Sequence, residues 1–340
     1  MKLAIGAQLG ETGVPDIEFI QRAEALGYDS VWSGETWGYD AFAPLAYIAG
    51  HTRKLRLGTA IAQIDARTPA TTAMVAQTID AMAGGGRMIL GIGTSGPQVV
   101  EGWLGRPWGK PNYRLRDNVA IIRKVWSGER VTHDGREVQI PYAGPGALGL
   151  GKPLRNGTGK TANIPIVIGA ETPLNIRMTG EVADGLLCLH TVPRQLPEIT
   201  GLLQEGLARR SDGRQLKDLE IVGSVRVVIS SDVGRTIQKA KAGIALYAGG
   251  YGAKEMNFHK DAFAKRGYAA EADRIQELFL AGRREEAIAT VPDEYVEEEI
   301  LIGSPERIRE RWAAWRDSAF TTVRIASDRP DVMELIAKAI

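Results

Sequence analysis

The sequence predicts an α/β protein of the (β/α)8 TIM-barrel class, and three observations carry that prediction. Eight short apolar runs recur along the chain with helical periodicity between them. The sharpest, residues 88–92, is continuously apolar rather than alternating, as suits a parallel strand covered on both faces. No linker separates two sheets: the glycine-rich tract 142–163 interrupts the alternation and then releases it, so residues 1–340 are assigned to one domain.

Residues 3–8 read as the first strand, and Pro15-Asp16 opens a helix with Ile17, Ile20, Ala23 and Leu26 on one face, closed by Gly27. Residues 30–34 form the second strand, ahead of the apolar helix 42–49. The third strand is 55–61, and helix 70–83 stops at three consecutive glycines before the fourth strand. Helix 115–126 buries Val119, Ile122, Val125 and Trp126 and leads to a small hairpin around Asp134-Gly135. Strands five to seven fall at 164–168, 186–189 and 221–229, with helices at 174–183, 196–208 and 237–246. Insertions follow strand four and precede strand eight. In the second, residues 254–296 read as extra helices, clearest at 272–280 and 285–289. Pro305 then opens a helix striped by Trp312 and Trp315, and residues 322–325 are strand eight.

Lysine and arginine number 42 against 41 acids, a balance that gives no reason to expect nucleic acid or a membrane surface as partner and favours a small ligand. The lone Cys188 excludes an intrachain disulfide framework and suits a reducing cytoplasm. The apolar start breaks at Gln8, too soon for a signal peptide, and no apolar stretch is long enough to span a bilayer. The four histidines lie far apart without a metal-ligand spacing, so no metal site is expected.

In a barrel the C-terminal strand ends carry the chemistry. They select Gln8, Glu35 with Trp37, the stretch Ala60-Ile61-Ala62-Gln63, Thr94-Ser95-Gly96, Gly169-Ala170 and His190-Thr191. Gly91, Gly93 and Gly96 spell G-x-G-x-x-G, but a dinucleotide fold wants an immediate helix and an acid after the next strand. Here Pro97 and Glu101-Gly102-Trp103 delay the helix. Glu35 is either an acid/base or a residue that caps the next helix or pairs with a cation. His190 fits a packed rim position. Gly157-Thr-Gly-Lys-Thr161 resembles the end of a phosphate loop, yet Leu154 stands where the first glycine belongs. The carboxylate-free tract 138–170 with Lys152, Arg155 and Lys160 could hold an extended anion, or be a solvated loop. Gly169 and Ala170, directly before a helix N-terminus, suit a phosphate.

Ala25-Leu-Gly-Tyr-Asp-Ser-Val-Trp32, Leu57-Gly-Thr-Ala-Ile61, Gly91-Ile-Gly-Thr-Ser-Gly-Pro-Gln-Val-Val-Glu-Gly-Trp103 and Pro165-Ile-Val-Ile-Gly-Ala170 together resemble the bacterial luciferase-like superfamily. The Thr94-Ser-Gly-Pro segment running into Glu101 is similar to the branch that uses the deazaflavin coenzyme F420, near methylene-tetrahydromethanopterin reductase and its actinobacterial relatives. Asn257-Phe-His259 and Pro292-Asp-Glu294 extend the resemblance into the second insertion. It implies a deazaflavin at the barrel mouth, a non-prolyl cis peptide at Ala60-Ile61 behind the ring, and ring or ribityl contacts from Thr94, Ser95 and Gly96, with Gln63 in the same lining. It further implies phosphate contacts from Gly169 and Ala170, and a glutamate tail held by Lys152, Arg155 and Lys160.

Hydride transfer to or from a small organic substrate follows, with Glu35 and Glu101 as acid/base candidates and Trp37 and His190 beside the substrate. Flavin mononucleotide (FMN) with monooxygenase chemistry is the alternative, and a non-catalytic F420-binding protein a third reading. Where sugar-phosphate dehydrogenases of the superfamily carry an acid-histidine pair, this chain has Glu35-Thr36, so their reaction is not carried over. Phe42, Leu45, Tyr47, Ile48, Met74, Val75 and Ile79 supply apolar surface beyond what one barrel face requires, and with the family's habit of pairing there they imply a homodimer.

Overall fold

The chain's apolar runs become parallel strands and its amphipathic stretches the helices between them. A computed structural model describes residues 1–161, 163–188, 190–251, 254 and 256–339. Among the described residues the strands are β1 (Lys2–Gly6), β2 (Ser30–Ser33), β3 (Arg56–Thr59), β4 (Ala62–Gln63), β5 (Met88–Gly93), β6 (His133–Asp134), β7 (Gln139–Ile140), β8 (Ile166–Gly169), β9 (Gly185–Leu187), β10 (Glu220–Ile229), β11 (Ile300–Gly303) and β12 (Thr322–Ala326). Every residue of β5 is buried, as a strand covered on both faces requires. Helix starts follow local chemistry: the Asp16 side chain accepts from Phe19 N at 3.0 Å, and Thr68 caps helix Pro69–Met82, with proline in its first turn.

The chain forms two compact units. One comprises Ala4–Leu187 and Ile199–Ile221. Its strands β1, β2, β3, β5, β8 and β9 are neighbours in that order and all parallel, with Ala4 opposite Ser30, Val31 opposite Leu57, Leu57 opposite Met88, Leu90 opposite Ile166 and Val167 opposite Gly185. The short β4 joins the far end of β5, and β6 and β7 form the expected hairpin.

The other unit comprises Met1–Leu3, Cys188–Glu198 and Val222–Ile340. There β10 lies parallel to both β11 and β12, with Arg226 opposite Ile300 and Ser224 opposite Arg324. The insertion's helices Ala269–Leu280, Arg284–Thr290 and Asp293–Glu299 pack with helix Val233–Gly250 around Ala245, Phe263, Ile275, Val296 and their neighbours. No helix is long and apolar enough to cross a membrane among the described residues.

Three local readings change. Pro97–Gly102, expected to delay the next helix, is itself a short helix with proline in its first turn. Ile300–Gly303 is a strand the alternation had not counted, because its four apolar residues follow an acidic helix end directly. Of the apolar surplus, Phe42, Leu45, Ile48 and Ile79 are buried within the chain, and Tyr47 and Met74 are exposed at 46% and 56%. Helix Ala43–His51 is flanked by helices Ile17–Ala25 and Pro69–Met82, which absorb most of that surface.

Candidate functional site

In the first unit, the ends of β2, β3, β5 and β8 approach one another through backbone rather than side chains. The Ala60-Ile61 peptide is cis, as the resemblance implied. A Cβ on Gly34 would lie 2.5 Å from Ala60 O, and one on Gly169 would lie 2.9 Å from Ile61 Cγ2. Glycine is therefore dictated at both positions by close approach, and the Ile61 side chain fills the space between Gly169 and Gly93. Around this cradle two buried polar atoms have no partner: Ser33 Oγ at the end of β2 and Gln63 Oε1 in β4. The Gln63 amide donates to Thr36 O at 2.8 Å and Glu35 O at 3.3 Å, which fixes its orientation. Thr94, Ser95, Gly96 and Gly169 are half-buried at neighbouring strand ends. A polar heterocycle that brings its own donors and acceptors fits this set, since unpaired buried polar atoms are costly without a partner.

Glu35 is fully engaged. Its oxygens accept from Arg67 Nη1 at 2.7 Å and Nη2 at 2.9 Å, from Gln63 N at 2.8 Å and from Ala41 N at 3.2 Å, with the side chain only 8% exposed. Arg67 also pairs with Asp40. The carboxylate thus ties the loop after β2 to β4. Glu101, on helix Pro97–Gly102, is exposed, and its Oε1 accepts from Trp108 N at 3.3 Å. Ala170 is buried and its amide donates to Leu187 O at 3.2 Å, so that amide is spent on the sheet. The next donors along the chain belong to helix Pro173–Val182, whose Thr172 cap accepts from Asn175 N and whose Asn175 Oδ1 is buried without a partner.

The second unit holds a cavity of about 370 Å³, lined by apolar and aromatic side chains with a small set of ionisable ones. His190 stands at its edge, the ring 5.1 Å from that of His259 and Nδ1 4.0 Å from Glu299 Oε1. Asn257 positions His259: its Oδ1 accepts from His259 N at 3.0 Å while its Nδ2 donates to Ala248 O at 2.9 Å. Burial, with help from the neighbouring His190, pushes the His259 pKa down to about 4, so the ring is neutral at pH 7. Burial pushes Glu299 up, but contact with His190 and the charge of Arg266 outweigh it and hold the carboxyl below its usual range.

The sequence model of the luciferase-like monooxygenases matches residues 10–322. The chain belongs to that family. This luciferase-like chain is 40% identical over 342 residues to a Mycobacterium tuberculosis protein named as a coenzyme F420-dependent oxidoreductase, with 98% of each covered. It is 27% identical to the 5,10-methylenetetrahydromethanopterin reductase of Archaeoglobus fulgidus, over 96% of each. Among solved structures it resembles the coenzyme F420-dependent tetrahydromethanopterin reductase of Methanopyrus kandleri, with a TM-score of 0.76 over 100% of this chain and 97% of the other at 22% identity. That likeness carries the fold, the (β/α)8 barrel expected from the strand count.

The remaining candidates of the luciferase-like chain lie at its surface. Lys152, Arg155 and Lys160 are all exposed. Thr161 N donates to Trp126 O, and a Cβ on Gly128 would meet Lys160 N at 2.8 Å, which puts Lys160 beside the C-terminal end of helix Pro111–Ser127. A parallel strand must be entered from its N-terminal end, so the residues just before β8 lie a strand's length from Gly169. Trp37 is 51% exposed after β2. Arg226 and Arg324, which the sequence did not single out, sit within β10 and β12 and line the cavity, Arg226 exposed and Arg324 half-buried. A cation in the middle of a continuous apolar strand was the available signal.

Proposed function

We propose that this chain is an F420-dependent oxidoreductase that moves a hydride between the deazaflavin and a small organic substrate. The observation that carries the reading is the glycine-walled cradle around Ile61 with the unpartnered Ser33 Oγ and Gln63 Oε1. The named activity of the 40%-identical relative supports it. When bound, F420 supplies or accepts the hydride at ring carbon 5.

The protein's part is to hold, orient and protonate. Ala60 and Ile61 form a wall, Gln63, Thr94, Ser95 and Gly96 offer polar edges, and Gly169 and Ala170 lead the chain to the helix N-terminus at Thr172, whose free amides suit a phosphate. Glu101, with one hydrogen bond and open to solvent, is the acid/base residue; Glu35 is a positioning residue acting through Arg67 and Gln63. Trp37, exposed after β2, is the substrate contact of the first unit, and His190 stands at the edge of the cavity of the second. We further propose a homodimer through the exposed apolar groove lined by Ala46, Met74, Val75 and Met82, in a cytoplasm whose reducing state suits Cys188.

Titration of the purified protein with F420 and with FMN tests the cofactor. F420 should bind at least tenfold more tightly. Tighter FMN binding with oxygen-dependent turnover would overturn the reading in favour of monooxygenation. Glu101→Gln should lower turnover at least tenfold while leaving F420 affinity unchanged, and sedimentation at micromolar concentration should give a dimer.

A further inference from the structure

Two arginines of the second unit differ in how their charge is met. Arg266 is almost wholly buried and its charge is met by carboxylates, although its Nη1 makes no hydrogen bond: Nη2 donates to Glu298 Oε2 and to Tyr295 O, each at 3.0 Å, Nη1 lies 3.7 Å from Glu299 Oε2, and the guanidinium sits 3.7 Å over the Tyr295 ring. Arg194 takes up the rest of Glu298 at 2.9 Å. These two acids and two arginines neutralise one another. Arg324 has no such arrangement. Its Nε donates to Ser224 Oγ at 3.2 Å, it has no carboxylate partner among the described residues, and its burial, uncompensated, pushes the guanidinium pKa down. Arg226 likewise has no carboxylate partner among the described residues.

The sheet register puts the two on one face. Ser224 lies opposite Arg324, and Arg226 opposite Ala326, so the arginines are diagonal neighbours on adjacent strands, and all four residues line the cavity. The other face of the same strands carries Val225, Val227 and Ile325, all buried. The remaining wall is apolar and aromatic, with Ile244, Tyr247 and Phe263. Glu299 lines it too, but is already met by Arg266 and His190, and His259 is neutral at pH 7. The cavity therefore carries two positive charges, Arg324 within its wall and the exposed Arg226 beside it, that no carboxylate pairs with among the described residues, next to a surface suited to an apolar body.

We infer that this cavity binds an oxyanion, the carboxylate or phosphate of an otherwise apolar substrate, between Arg226 and Arg324. Paired guanidinium forks match such groups with several donors at once, and the anion supplies the counter-charge the buried arginine lacks. Only the word substrate rests on the function proposed above. The same oxyanion chemistry could come from the cofactor's own acidic tail, and the experiment separates the two.

Calorimetric titration of the protein at low salt uses benzoate and phenyl phosphate as probes and neutral benzamide as control. The expected result is binding of at least one anion, at least tenfold more tightly than benzamide and weakened by added salt. Arg324→Met and Arg226→Met should each cut that affinity at least tenfold, with Arg324→Lys recovering part of it and thermal melts verifying the fold. F420 titration of the same variants should give wild-type affinity. Equal binding of benzoate and benzamide, no binding of either anion, or undiminished anion affinity in the double variant overturns the site. A tenfold loss of F420 affinity in Arg324→Met gives the arginines to the cofactor and overturns the substrate assignment. Anion binding by a protein that does not take up F420 supports the site and removes only the oxidoreductase reading.

Discussion

Glu35 and Arg324 are both largely buried ionised groups beside a strand end or within a strand, yet their surroundings are opposite. Around Glu35 every charge is answered: two guanidinium nitrogens and two backbone amides meet one carboxylate, and Asp40 takes the remainder of Arg67. Around Arg324 the partner is one serine hydroxyl, with no carboxylate among the described residues. Ionic groups that are fully answered within the chain hold the scaffold together, whereas a buried charge left unanswered waits for a ligand. The largest expected effect follows from that contrast. Glu35→Ala should destabilise the fold by about 2 to 4 kcal/mol, because Arg67 and two amides lose their acceptor inside the protein. Arg324→Met, which removes a charge that nothing compensates, should fall within about 1 kcal/mol of wild type. Urea denaturation midpoints measure both. An Arg324→Met variant as unstable as Glu35→Ala would break the comparison.

A second test sharpens it on the cradle side, where space rather than charge is the constraint. A methyl added at Gly169 would press on Ile61 Cγ2 at 2.9 Å. Gly169→Ala should therefore cost about 1 to 3 kcal/mol of stability and at least tenfold in F420 affinity. Ile61→Ala removes the atom in the way, so the double variant should recover stability relative to the sum of the single ones, with a coupling of about 1 kcal/mol or more. Strict additivity would mean that the two residues do not share one space.

What the sequence made legible was local. Strand and helix order, the caps at Asp16 and Thr68, and the glycines at the strand ends are written in neighbouring residues. So is the place of the Ala60-Ile61 peptide once the family motif is seen. What it hid was set by distance in space. Lys160 stands close in sequence to Gly169, yet its backbone meets Gly128 at the end of helix Pro111–Ser127, a contact no local pattern announces. The Ala170 amide looked free for a phosphate until the sheet claimed it through Leu187. Glu35 offered two roles with the same residue, and the pairing with a cation becomes visible only through the position of Arg67, 32 residues on. Arg226 and Arg324 become a pair only when β10 and β12 lie side by side, 100 residues apart in register.

The smallest effect concerns protons and bears on why the cavity's positive charge comes from arginine alone. Folding lowers the His259 pKa from its ordinary 6.5 to about 4, first through burial and then through His190. Between those values the unfolded chain binds a proton that the folded chain refuses, so stability is complete above about 6.5 and falls as the pH drops toward 4. The whole shift would correspond to about 3 kcal/mol, and the solvent that still reaches the ring reduces this to roughly 1 to 2 kcal/mol. Glu299 acts in a different window. Its pKa is lowered below the ordinary 4.5, so the stability it contributes is lost only as the pH falls beneath that value. Measurements of urea midpoints at pH 7, 6 and 5 thus cover the window of the His259 imidazole, and His259→Gln should flatten the decline over that range. His190→Gln should flatten it less, because it removes the second cause of the shift and leaves the first. A decline of undiminished slope in His259→Gln would mean that another group titrates there, and that the neutral ring is not what keeps the cavity's charge in the hands of Arg226 and Arg324.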